Sequence, residues 1–124
     1  MIKLIQCVRS RAAAPKTEFQ QQWQAYGKQL SALATELGAV RIVLNTTLSI
    51  EVNRRLLQER GSLEPFDGVA EIWWDRGAGL LEKAEDREMS SCIDRLRKIQ
   101  ESFVDVERSS FFFTLETVVH AEGA

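Results

Sequence analysis

Apolar and polar residues alternate from the start of the chain. Over residues 2–8, Ile2, Leu4, Gln6 and Val8 fall on one face and Lys3, Ile5, Cys7 and Arg9 on the other, a period of two that predicts a strand. The period then changes. Phe19, Trp23, Tyr26, Leu30, Leu33 and Leu37 step by four and three, which places them in one helical stripe. Thr17 followed by Gln20 reads as a capping box opening that helix, and Gly38 as its left-handed stop. Residues 40–50 return to a period of two, with Val40, Ile42, Leu44, Thr46 and Leu48 against Arg41, Val43, Asn45 and Thr47.

Residues 51–64 are polar and rich in helix formers, and predict a short helix or irregular excursion ending at Pro65, of the kind found at pocket mouths. Asp67-Gly68 turns the chain into a third strand with Val69, Glu71 and Trp73 on one face and Ala70, Ile72 and Trp74 on the other. Gly77 and Gly79 lead into a second helical region, first with Leu80, Leu81 and Ala84, then with Met89, Cys92, Ile93, Leu96 and Ile99. The run 82–88 mixes charge signs, as a solvated face or a break between two helical pieces does. A last strand is predicted over 109–120, with Phe111, Phe113, Leu115, Thr117 and Val119 opposite Phe112, Thr114, Glu116 and Val118.

The order is β-α-β-β-α-β, that of a ferredoxin-like α+β protomer with an antiparallel four-stranded sheet. Both split crossovers place their helices on the same face. The strands nevertheless carry large apolar groups on both faces, whereas a sheet with one face in water alternates apolar with polar more cleanly. The second face is therefore expected to meet another protomer in a closed two-fold dimer.

Composition narrows the reading. A chain of 124 residues that is 44% hydrophobic fits one domain spanning 1–124, able to bury roughly two-thirds of its unfolded surface. The formal net charge of -2 supplies no positive field for a phosphate backbone, so nucleic acid is not an expected partner. The first residues lack the pattern of a signal peptide and no run approaches the ~18 apolar residues of a membrane span, so a soluble, cytoplasmic protein is expected. Cys7 and Cys92 have no CxxC spacing and His120 is the one histidine, which argues against a zinc site and for reduced core cysteines.

Three segments together resemble the EthD-like family of the dimeric α/β-barrel superfamily: Glu18-Phe19 with Trp23 and Leu30; Asp67-Gly68-Val69-Ala70-Glu71-Ile72-Trp73 with Asp75; and Phe103-Val104-Asp105 leading through Arg108-Ser109 into the last strand. The resemblance implies ferredoxin-like protomers paired sheet to sheet. It also implies relatives that include cofactor-free dehydratases, decarboxylases and cyclases acting on polyketides. The family pattern places a histidine four residues after the tryptophan, where this chain has Gly27 in Trp23-Gln24-Ala25-Tyr26-Gly27. Histidine is the side chain suited to proton transfer near neutrality, so the family's acid/base candidate is absent from that position.

Glu71 and Tyr26 are the remaining acid/base candidates. Glu71 lies between Val69 and Trp73, and burial in a barrel cavity would raise its pKa; the alternative is a structural carboxylate paired with Arg41 or Lys3. Tyr26 sits on the apolar stripe, either donating a hydrogen bond to a ligand carbonyl or packed as core. Trp73 is expected to stack on a flat ligand or simply to pack. Arg41 and Asn45 share the mixed face of the second strand, where they can orient a ligand or complete an interface, as can Glu116. Trp23 and Gly27 are also ligand-binding candidates, the glycine because it could open space for a ligand. His120 reads as surface, and Arg9, Arg11 and Lys16 as a solvated loop. No Gly-x-Ser-x-Gly turn or glycine-rich phosphate loop occurs, and no cofactor is expected: neither ATP, NAD nor haem. The expected ligand is a small apolar or aromatic carbonyl compound, either converted without a cofactor or bound by a non-catalytic member of the family.

Overall fold

The computed structural model describes residues 1–11, 14–75 and 87–123, with 88 and 89 as backbone alone. Four strands, β1 (Ile2–Val8), β2 (Arg41–Thr46), β3 (Gly68–Trp74) and β4 (Ser110–Leu115), form one antiparallel sheet in the order β2-β3-β1-β4. The helices are α1 (Lys16–Ala32), α2 (Ala34–Leu37), α3 (Glu51–Arg60) and α4 (Arg87–Glu101), with a 3₁₀ turn at Val106–Arg108. This is the ferredoxin-like α+β arrangement, elaborated by α2 and α3.

Register assigns every strand residue to a face. Leu4 pairs with Ile72 and Phe113, and Ile72 with Ile42, so these four share the side that α1 and α4 cover. There Phe19, Trp23, Tyr26 and Leu30 from α1 and Cys92 and Leu96 from α4 pack on Val8, Ala70, Ile72 and Trp74. On the open side, Ile5 pairs with Glu71 and Phe112, and Trp73 with Lys3 and Arg41.

Local physics moves several predicted boundaries. Thr17 does not cap α1. Pro15 holds the N-cap position in extended geometry (φ -63, ψ 151), with no side-chain cap, and Phe19 N–H already bonds to Pro15 O at 3.1 Å. Proline suits this position because it pre-sets φ and lacks an N–H that would otherwise go unpaired. The predicted single stripe is also divided. At Leu33 (φ -101, ψ 5) the helix breaks, and α2 carries Leu37 into the core before Gly38 ends it at φ 68.

Both outer strands are shorter than predicted. After Thr46, Thr47 makes one further backbone bond to Asp67, and the chain departs toward α3. In β4 the last pairing is Glu116 N–H to Met1 O at 3.0 Å, just past the Ile2–Leu115 pair that ends the ladder. Val118 and Val119 therefore stand 65% and 93% exposed in spite of their strand propensity. Gly77, Gly79, Leu80, Leu81, Ala84, most of the run 82–88 and the Met89 side chain lie outside the described residues.

Candidate functional site

A cleft of about 410 Å³ opens between α4 and the sheet. Leu4 and Ile72 reach it from the two central strands, Trp74 from the end of β3 and Phe113 from the edge strand; Ile93 and Leu96 close it from α4. Phe113 is 57% exposed and Ile93 45%, while Leu96 is buried, so the apolar lining grades from the interior outward. The size and chemistry suit a small organic molecule.

Three polar side chains meet at this cleft in a closed triangle. Tyr26 Oη donates to Gln6 Oε1 at 2.8 Å, and Gln100 Nε2 donates to Tyr26 Oη at 2.9 Å and to Gln6 Oε1 at 3.0 Å. Gln6 comes from the helix-facing side of β1, Tyr26 from the α1 stripe, and Gln100 from α4 one turn beyond Leu96. Burial pushes the Tyr26 phenol well above its ordinary value, more than its hydrogen bonds to Gln6 and Gln100 lower it. Its single proton is already donated to Gln6. Tyr26 thus acts as a neutral link between two amides, and a ligand carbonyl would have to break that bond to receive the proton.

Glu71 occupies the opposite side of the sheet. Its carboxylate accepts from Lys3 Nζ at 3.0 Å and from Asn45 Nδ2 at 3.0 Å. Burial pushes the Glu71 carboxyl up, but the hydrogen bonds from Asn45 and Lys3 and the charges on Lys3 and Arg41 outweigh it, leaving the pKa below its ordinary value of 4.5. The direction is that of the structural pairing with Lys3, not of a carboxylic acid held protonated. Trp73, 6% exposed, lies between Lys3 Nζ and Arg41 Cζ, at 4.7 and 4.8 Å from the ring, and its Nε1 donates to Glu116 at 2.6 Å. Lys3, Arg41, Asn45, Glu71, Trp73 and Glu116 therefore make one polar cluster on the open face. Glu71 and Tyr26 do not share a site.

Gly27 belongs to neither group. It borders a shallow hollow of about 440 Å³ at the β2 edge, shared with Lys28, Arg41 and Leu44. The space that its missing side chain leaves is filled: a Cβ there would stand 2.5 Å from Leu44 Cδ1. Trp23 is fully buried, stacked between Phe19 and Tyr26 at 5.7 Å from each, and does not line the cleft.

Other candidates serve the fold. Arg9 donates to Glu64 O and Pro65 O and covers Phe66, Arg11 donates to Glu101 O, and Lys16 to Ser49. A larger hollow of about 500 Å³ lies against α3, lined by charges of both signs including Lys16, Arg54, Glu51 and Asp67. Its outer wall is a helix with no buried residue, so little fixes its shape. Among the described residues no His, Cys, Asp and Glu cluster could hold a metal. Cys92 is buried, whereas Cys7 lies part-buried on the open face with its thiol pushed up by burial; both are free.

Sequence reasoning passed over Gln6 and Gln100. Each carried a signal: Gln6 interrupts the apolar face Ile2-Leu4-Val8, and Gln100 continues the spacing Cys92-Leu96 by four. A glutamine on a buried stripe asks for a partner, and here each supplies the other's.

No curated protein matches the chain significantly in sequence. Solved structures of low identity share its fold. An EthD family protein from Bacillus halodurans C-125 aligns with a TM-score of 0.59 at 14% identity, covering 94% of this chain and 99% of that one. A dimeric protein of unknown function and ferredoxin-like fold from Bacteroides fragilis gives 0.59 at 12% identity, over 91% and 93%. SnoaB, a cofactor-independent oxygenase from Streptomyces nogalater, gives 0.52 at 12% identity, over 99% and 97%. No helix among the described residues is long and apolar enough to cross a membrane. The model of the EthD domain matches residues 12–106, well over half of the sequence, and the chain belongs to the EthD family.

Proposed function

We propose that this protein binds a small, mostly apolar molecule in the cleft between α4 and the sheet, with its polar edge against Gln6 and Gln100. The carrying observation is the coincidence of an apolar cleft of about 410 Å³ with a closed hydrogen-bond triangle at its lining. Among the described lining residues, the titratable side chains are Tyr26, Arg97 and Glu101. Tyr26 is held neutral, and Arg97 and Glu101 lie at the exposed rim, 4.0 Å apart. Among the described lining residues, Tyr26 already gives its proton to Gln6, which favours binding over proton-transfer catalysis. SnoaB is named a cofactor-independent oxygenase, and turnover without a cofactor is the reading that would displace simple binding.

The open sheet face supports a homodimer. Ile5, Val43 and Val69 are part-exposed there and Phe112 is 44% exposed, while Lys3 and Glu71 already satisfy one another. Covering this face would remove apolar surface from water, with Lys3 paired to Glu71 and Arg41 over the Trp73 ring.

Calorimetric titration with 2-naphthol, a flat apolar ring with one hydroxyl, tests the binding site. Saturable binding by the wild type, abolished in Ile93→Trp, is the expected result, since the larger ring fills the cleft mouth from a half-exposed position. Binding that survives Ile93→Trp places the ligand elsewhere. Chemical conversion of the bound compound would replace the binding reading with a catalytic one.

A further inference from the structure

The triangle of Gln6, Tyr26 and Gln100 has a second solution. An amide turned through half a rotation about its last bond exchanges Oε1 and Nε2 in place. In the observed arrangement Gln6 Oε1 accepts twice, Gln100 Nε2 donates twice, and Tyr26 Oη donates once and accepts once. Turning both amides together reverses every bond and keeps all three. Gln6 Nε2 then donates to Tyr26 Oη and Gln100 Oε1, and the phenol donates to Gln100. Turning one amide alone brings two N–H₂ groups or two oxygens face to face and loses bonds, so the turn is concerted. The hydroxyl, able to give and receive, is the joint that makes the two solutions equivalent.

The unused half of each amide carries the consequence. In the observed arrangement Gln6 Nε2 and Gln100 Oε1 have no hydrogen-bond partner among the described residues, and both residues line the cleft. One side of the polar edge therefore offers donors and the other an acceptor. After the concerted turn these offers change sides. We propose that Gln6 and Gln100 are the specificity-determining pair of the cleft, and that they accept a flat apolar molecule bearing a hydrogen-bond donor and an acceptor side by side, in either order. This rests on the cleft being the binding site. A ligand whose carbonyl and hydroxyl or N–H exchange places by tautomerism would stay fully bonded through the exchange.

Substituting each glutamine by glutamate locks one solution, because an ionised carboxylate only accepts. Gln6→Glu holds the observed polarity. Gln100→Glu forces the reverse, with Gln6 and Tyr26 both donating to residue 100. Gln6 and Gln100 are 8% and 7% exposed, so desolvation costs a carboxylate about the same at either place, and the last turn of α4 adds a modest penalty at residue 100. Thermal melting at pH 8 without ligand is expected to show both variants less stable than wild type but within about 5 °C of each other. A gap of about 5 °C or more overturns the proposal, being the size of one unpaired buried polar group in a chain of this length.

If either variant fails to fold, NOE spectra of the ¹⁵N-labelled wild type decide. Side-chain amide protons of Gln6 and Gln100 are expected to give cross-peaks of similar strength to the Tyr26 ring, and cross-peaks from Gln100 alone overturn the turn. The ligand class is tested with 2-quinolinone, which carries N–H and C=O side by side, against naphthalene. The lactam is expected to bind about tenfold more tightly or better, and equal affinity overturns the assignment. Should neither compound bind, the cleft reading and the ligand class fall together, while the melts still decide the concerted turn.

Discussion

Trp23 lies against the bare Cα of Gly68. A Cβ on Gly68 would stand 2.7 Å from Trp23 Cε2 and 3.0 Å from its Nε1, closer than side chains approach one another. The glycine of Asp67-Gly68 thus has a second role besides the turn: it lets the first helix's largest side chain sit directly on the third strand. Gly68→Ala is expected to destabilise by about 1–3 kcal/mol, the usual cost of overpacking a core. Urea unfolding measures this, and a change below about 0.5 kcal/mol would mean that Trp23 can withdraw freely.

The Gly27 position is governed by Leu44 in the same way. Alanine at an interior helix position is ordinarily worth about 1 kcal/mol over glycine, but here its Cβ meets Leu44 Cδ1 at 2.5 Å. Gly27→Ala is therefore expected to gain less than that in the wild type and the full ~1 kcal/mol in a Leu44→Ala background. Equal effects in both backgrounds would show that Leu44 does not fill the space.

The order of elements along the chain, the two faces of each strand and the α1 stripe were legible in the sequence because they follow from periods of two and 3.6 residues. What could not be read was governed by neighbours distant in sequence. β4 ends at Leu115, opposite Ile2, and the β-branched residues Thr117, Val118 and Val119 continue a pattern that pairs with no strand among the described residues. The Thr17 capping box failed because Pro15, just upstream, starts the helix first. Glu71 lies between apolar residues on a strand face and Tyr26 on an apolar helix stripe, which marks both for burial, yet the sheet separates them and neither pattern could reveal that. The cleft's polar pair was present as two glutamines on apolar stripes, an anomaly visible in one strand and one helix but interpretable only when the fold brought them within 3.0 Å.

Acid should reveal the Glu71 pairing. A carboxyl whose folded pKa lies below its unfolded value contributes stability above the unfolded value, and that contribution is lost as pH falls through the folded one. The stability gap between wild type and Glu71→Gln is expected to be constant near neutrality and to shrink below about pH 4.5. A carboxyl-carbon NMR titration should place the Glu71 midpoint below 4.5. A midpoint above that value, with a gap that widens in acid, would contradict the ion pair with Lys3.

In the proposed dimer through the open sheet face, Phe112 is the most exposed apolar anchor. Sedimentation velocity at micromolar concentration is expected to show a dimer in the wild type and a shift toward monomer in Phe112→Lys, which places a charge in an apolar patch. A monodisperse wild-type monomer would contradict the sheet-to-sheet assembly.

The most direct test of the cleft as the binding site is a ¹⁵N–¹H correlation titration of the wild type with 2-naphthol. Saturable shifts are expected at the backbone amides of Leu4, Tyr26, Leu96 and Phe113 and at the side-chain amides of Gln6 and Gln100. Shifts centred instead on Asn45, Glu71 and Trp73 would move the site to the open face, and the absence of any saturable shift would contradict binding in the cleft.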